Sequence, residues 1–165
     1  MNGKNIVVSL LILISVLAGL TWYAVSIQST PTGPSLEYKN NHYGFRFVLP
    51  ITWERYTVTT ATWKGYAVDS EGEVPAEEGP IISIRHPLWA VDVPRQDIPI
   101  MVFTKAQWDS LQQGKFHIGA APIGPRELGR NNLYVFALPA RYNFAFPVGY
   151  EEVEIILESN PLRTF

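Results

Sequence analysis

Residues 98–114 read IPIMVFTKAQWDSLQQG, a strand pattern that runs without a break into a helix pattern. In residues 98–103 apolar side chains occupy both parities, as in a strand covered on both faces rather than half in water. Thr104 followed three residues later by Gln107 is a capping box, in which each side chain satisfies a backbone N–H of the other residue. A helix is therefore expected from Thr104 to near Gly114, whose missing side chain suits a left-handed terminus. Sheet and helix thus share one chain segment, and the flanking sequence has to supply the rest of the sheet.

On the N-terminal side, residues 81–89 place Ile82, Ile84, His86 and Leu88 on one parity and Ser83 and Arg85 on the other, which predicts a strand. Residues 56–68 are rich in Thr, Val and aromatics, as a strand should be. In residues 43–50, YGFRFVLP, Phe45, Phe47 and Leu49 share a face opposite Arg46, and Pro50 ends the run. On the C-terminal side, residues 133–138 again carry apolar groups on both parities. Residues 126–129 are expected to pair with them through Arg130-Asn131-Asn132, where asparagine tolerates left-handed angles. A second helix begins near Gly149, with Tyr150, Val153, Ile156 and Leu157 on one stripe and Glu151 and Glu152 in the first turn, where the helix dipole favours anions. Asn160-Pro161 stops it. The order predicts an α+β domain over residues 36–165: a mainly antiparallel β-sheet flanked by helices.

Within this body, residues 38–53, YKNNHYGFRFVLPITW, resemble the opening of PsbP-like domains, in which an aromatic-Gly-Phe strand ends in proline and is followed by Trp. The likeness covers most of the body in element order and this segment in residues. It implies a central antiparallel sheet between helices, and accessory, assembly or ligand-binding roles outside the cytoplasm without catalysis. It carries over no catalytic residue.

Composition bounds the alternatives. The 165 residues are 47% hydrophobic and 13% aromatic, enough to build a core. Only 17% are charged, against about 25% in ordinary soluble domains. There is no cysteine, which excludes disulfides, thiolate metal sites, cysteine nucleophiles and a lipid-modified N-terminal cysteine. A net charge of -2 gives no basic footprint, so nucleic acid is dropped as a partner.

The N-terminal stretch is of another kind. Residues 6–25 hold no charged side chain, and about 20 residues make a helix of ~30 Å, the thickness of a bilayer's hydrocarbon core. About a dozen Ile, Leu and Val at ~0.3–0.6 kcal/mol each favour insertion by about 5 kcal/mol. Lys4 and the amino terminus precede the run and the next basic residue is Lys39, so the N-terminus is expected to stay cytoplasmic and the body to face outward. Trp22 and Tyr23 fall where an interfacial belt belongs. Residues 1–27 are read as a transmembrane signal-anchor in the cell membrane and residues 28–35, QSTPTGPS, as a polar linker. Two other readings stay open: a signal peptide cleaved at Ala24-Val25-Ser26, which also leaves the body outside, and a buried core helix.

Residues that carry chemistry are sparse. His42, His86 and His117 lack metal-ligand spacing, and His86 falls on an apolar parity where a packed histidine is the ordinary outcome. Residues 69–78, DSEGEVPAEE, offer carboxylates for a weak cation site but without EF-hand spacing, and a solvated hairpin tip is the plain expectation. No nucleophile elbow, Ser-x-x-Lys or phosphate loop occurs, so no catalytic residue, metal site or cofactor is assigned. What remains are aromatics and an arginine in connections: Trp89 at a strand end, and Arg141, Tyr142 and Phe144, followed by Phe146, before the last helix. Tyr, Trp and Arg are usual interface anchors. The plain alternative is that Tyr142, Phe144 and Phe146 fill the gap between helix and sheet. The expected function is a non-enzymatic, membrane-anchored extracytoplasmic module binding a protein or envelope component; the alternative is a small-ligand or divalent-cation sensor.

Overall fold

A computed structural model describes residues 33–68, 72–120 and 123–165. The expected span at residues 1–27 and residues 28–32 of the linker lie outside them. Among the described residues, no helix is long and apolar enough to cross a membrane.

The chain runs β1 (Ser35–Asn40), β2 (Phe45–Pro50), a 3-10 turn (Ile51–Trp53), β3 (Thr57–Ala67), β4 (Pro75–Arg85), β5 (Ile98–Thr104), α1 (Lys105–Gln112), β6 (Phe116–His117), β7 (Arg126–Arg130), β8 (Tyr134–Leu138), α2 (Tyr150–Glu158) and β9 (Leu162–Thr164). A six-stranded sheet has the order β6-β3-β4-β5-β8-β7 and a three-stranded sheet the order β1-β2-β9. Every pairing between these strands is antiparallel. The expected class, a mainly antiparallel sheet with helices, is the one observed.

Strand parity explains the layers. Ile98, Ile100 and Val102 of β5, with Ile82, Ile84, Phe136 and Leu138, pack against Phe45, Phe47 and Leu49 of the small sheet and Val153, Ile156 and Leu157 of α2. Met101 and Phe103, with Val135 and Ala137, face the other way, onto Trp108 of α1, Trp63 and Phe116. The central strands are thus buried on both faces, as their unbroken apolar runs require. On the α1 side Trp63 stacks on Phe103 with ring centroids 4.4 Å apart, and its indole N–H donates to the Val102 carbonyl at 2.9 Å. Gly79, paired with Trp63 across the strands, makes room: a Cβ there would lie 2.7 Å from the indole.

Helix signals held at both ends of α1. Gln107 N–H donates to the Thr104 hydroxyl at 3.2 Å, and Thr104 N–H to the Gln107 side-chain oxygen at 2.9 Å. Gly114 adopts φ +69. Asn160, with φ +50, closes α2.

Some details differ: the strands expected at residues 43–50 and 133–138 begin at Phe45 and Tyr134. Ser35, assigned to the linker, opens β1, and Pro34 is already fixed there because its carbonyl accepts from Ile51 N–H at 3.2 Å. The strand expected at residues 81–89 runs from Pro75 to Arg85 instead. Its end comes early because Pro87 cannot donate to a ladder and the His86 ring takes the Leu88 N–H at 3.0 Å, turning the chain. Its early start draws Glu77 and Glu78 out of the acidic loop into pairing with Gly65 and Lys64 of β3. The Asn131 turn is built by its side chain rather than by left-handed backbone: Asn131 Oδ1 accepts from Leu133 N–H at 2.9 Å and Tyr134 N–H at 2.8 Å.

Candidate functional site

The connections that carry the sequence-derived binding residues lie at one end of the six-stranded sheet, where β4 and β8 finish and β5 begins. Residues 86–97 join β4 to β5 and residues 139–149 join β8 to α2. The two loops are bound together: Gln96 N–H donates to the Val148 carbonyl at 2.9 Å, the Gln96 side-chain amide donates to the Tyr142 carbonyl at 3.3 Å, and Arg95 and Val148 form a parallel bridge.

Beneath them sits a polar node. Glu152, in the first turn of α2, accepts from the Thr52 hydroxyl at 3.0 Å and from the Trp53 indole N–H at 3.1 Å. Its other carboxylate oxygen lies 3.6 Å from Arg95 Nη2 and 3.9 Å from His86 Nε2. The His86 ring meets Trp53 edge-on with centroids 4.9 Å apart. His86 and Gln96 are buried, and Gln96 Oε1 and Arg95 Nε have no hydrogen-bond partner among the described residues. Burial, then the Arg95 charge, lowers the His86 pKa below the usual imidazole range, against a smaller upward pull from Glu152. His86 is a packed, neutral histidine that latches the 3-10 turn, the first loop and α2, which is the role its apolar parity foretold.

The four sequence-derived residues fare differently. Trp89 is half-buried and serves as a platform: the Arg85 guanidinium lies 3.9 Å over its ring while forming a two-pronged pair with Asp97, at 2.9 Å through Nη2. Tyr142 is half-buried against the main core and fills the gap between helix and sheet. Its hydroxyl pKa is raised by burial and then by the Glu154 charge. Arg141 is exposed, at φ +54, with its guanidinium 5.8 Å from the Phe144 ring. Phe144 is 72% exposed and Phe146 67% exposed. These two rings are not gap fillers. The first loop adds Leu88, Val91 and Val93, all exposed, with Val91 at 87%. Leu88, expected on the apolar face of a strand at residues 81–89, lies instead past the end of β4 and faces solvent, and Val91 and Val93 drew no assignment although LWAVDV is confined between Pro87 and Pro94.

Two further concavities adjoin residues named above. A recess of about 330 Å3 is lined by Met101, Ile118, Pro125, Pro139 and Arg141. At the opposite end of the body, an open groove of about 780 Å3 runs between the β1–β2 and β7–β8 turns, past His42, Lys105 and Arg130. Among the described residues no group of three or more His, Asp or Glu is placed to hold a metal ion. Residues 69–71 of the acidic loop lie outside the described residues, and Glu77 is engaged by the Gln107 amide at 3.0 Å.

The chain matches no protein-family model, no curated protein and no solved structure.

Proposed function

We propose that this chain is a non-enzymatic binding or accessory module, anchored in the cell membrane by residues 1–27 and facing outward, which engages a protein or envelope component through the loop end. The observation that carries this reading is Phe144: 72% exposed, yet on a loop held in place. Phe144 N–H donates to the Arg141 carbonyl at 3.0 Å, Asn143 Nδ2 to Glu154 at 2.7 Å, and Gln96 to Tyr142 from the neighbouring loop. An aromatic that is both exposed and pre-ordered binds without the cost of fixing a mobile loop. Residues 38–53 support the accessory role through their PsbP-like pattern, and the uncharged run at residues 6–25 supports the anchor.

A photo-reactive amino acid at position 144 of the full-length chain, in intact membranes, should crosslink to an envelope component. The same group at Asn132, at the opposite end, should give little product; equal yields would remove the loop end as the binding surface. Protease protection in sealed vesicles tests the outward orientation separately. A second reading, a small-ligand sensor, is favoured by the recess with Arg141 on its wall, and a saturable shift of thermal stability with apolar anions would select it.

A further inference from the structure

The loop end is apolar where it meets solvent, and it is also the end at which the N-terminal chain arrives. Leu88, Val91 and Val93 from one loop and Phe144, Phe146 and Val148 from the other are exposed, and the hydrogen bonds through Gln96 hold the two loops as one platform. Contacts link that platform to the chain entry step by step. Val148 is bonded to Gln96, whose neighbour Arg95 faces Glu152; Glu152 binds Thr52 and Trp53; and Ile51 of the same turn holds Pro34.

We propose that this platform rests in the lipid interface of the membrane that anchors the chain, with Val91 and Phe144 among the residues that reach the headgroup and acyl boundary. The inference rests on the anchoring reading of residues 1–27 and adds what the exposed loops touch. Chain length supports it. The nine residues 26–34 reach at most about 30 Å fully extended, and about 17 Å root-mean-square as a flexible chain. A body of this size is roughly 35 Å across, from the usual scaling of radius of gyration. With residues 1–27 in the bilayer, a tether of that length would favour the loop end over the turn end as the part of the body nearer the surface. Exposed Leu, Val and Phe beside an arginine match the chemistry of that boundary, where apolar groups enter the acyl region and a guanidinium meets phosphate. Asp92 on the first loop and Glu151 in the first turn of α2 are exposed, as is Arg141, so this end carries charges of both signs and its contact with lipid is apolar in the main.

The chain has no cysteine, so single labels can be placed cleanly. Full-length Val91→Cys, Phe144→Cys and, at the turn end, Asn132→Cys variants are labelled with an environment-sensitive dye and reconstituted in phosphatidylcholine/phosphatidylglycerol vesicles. Spin-labelled acyl chains should quench the dyes at 91 and 144 several-fold, with blue-shifted emission, and leave the dye at 132 unchanged. Dyes at 91 and 144 as wet as that at 132, in protein that resists alkaline extraction, would overturn the inference and leave the anchor standing. Protein released by alkali would overturn both. Shielding at 91 and 144 that rises with protein density, without quenching by spin-labelled lipid, would identify a second copy as the occupant and also overturn it.

Discussion

The two ends of the body solve the same problem, closing a sheet, in opposite ways. At the turn end, the β1–β2 and β7–β8 connections are short and Asn131 stitches the sheets together. Its side-chain amide donates to the Tyr43 carbonyl at 2.8 Å and the Gly44 carbonyl at 3.3 Å, and its oxygen closes its own turn. Tyr43 and Tyr134 meet edge-on beside it, 5.3 Å apart and both half-buried, so rings and polar stitching close this end together. At the loop end polar groups are buried and apolar ones exposed: His86 and Gln96 lie inside while Phe144, Phe146 and Val91 face out. Folding favours the first arrangement. The second conflicts with it locally, and such conflicts concentrate where a surface serves something other than stability.

The most damaging test is Trp53→Ala. Trp53 is fully buried, supports His86 and donates to Glu152, so its loss opens a cavity and unlatches the loop end together. A loss of about 3–5 kcal/mol is expected in urea unfolding. A change much smaller would mean that the node beneath the loops is not tied to the core. Asn131→Ala, at the other end, removes bonds but leaves little cavity, and should cost about 1–3 kcal/mol. Asn131→Asp keeps the oxygen that takes Leu133 and Tyr134 and loses the donors to Tyr43 and Gly44. Because it also sets a carboxylate oxygen against those two carbonyls, it should cost at least as much as alanine if the bonds to Tyr43 and Gly44 matter.

Acid should separate the ends next. His86 faces Arg95, which disfavours its protonation, and Glu152, which favours it, and burial outweighs both. Because the folded state holds His86 below its ordinary pKa of about 6.5, the unfolded chain takes the proton first as pH falls. Stability contributed by neutral His86 is full above that pH and declines below it, until the folded state protonates as well. Urea midpoints measured from neutral pH down to about pH 5 should fall in the wild type more steeply than in His86→Gln. Equal slopes would show that the buried imidazole is not the group responsible.

How much of this was legible beforehand depends on the reach of the interaction. The capping box of α1, the double-sided burial of residues 98–103 and the stop at Asn160-Pro161 are local, and local chemistry determines them. β9 is three residues long and exists because β2 offers Phe45, Arg46 and Phe47 as partners; nothing in Leu162-Arg163-Thr164 announces it. Trp89 looked like a free anchor because its cation partner Arg85 is also a sequence neighbour on the preceding strand, and only the turn at His86 folds one onto the other. The same holds for the loop end. Tyr142, Phe144 and Phe146 alternate in sequence with identical apolar character, yet one is half-buried against the core and two are not. The segment is not a strand but two successive turns, closed by Phe144 N–H on the Arg141 carbonyl and Phe146 N–H on the Asn143 carbonyl, so alternation does not apply.

The smallest stability effect is also the most informative. Phe144 touches Arg141 at 5.8 Å, and Phe146 meets Tyr150 edge-on at 5.2 Å; neither ring belongs to a buried cluster. Replacing both, Phe144→Ser with Phe146→Ser, should leave the unfolding free energy within about 0.5 kcal/mol of wild type, the range of ordinary surface changes. A loss of several kcal/mol would make the rings structural and the two ends alike after all. If stability holds while the dye at position 91 becomes wetter in vesicles, the rings act on the surroundings rather than on the fold. The turn end has its own exposed apolar tip in Leu133, so Leu133→Ser is the matched control. It should likewise spare stability, but leave the dye at 91 unmoved if the loop end is the one that meets lipid, as proposed.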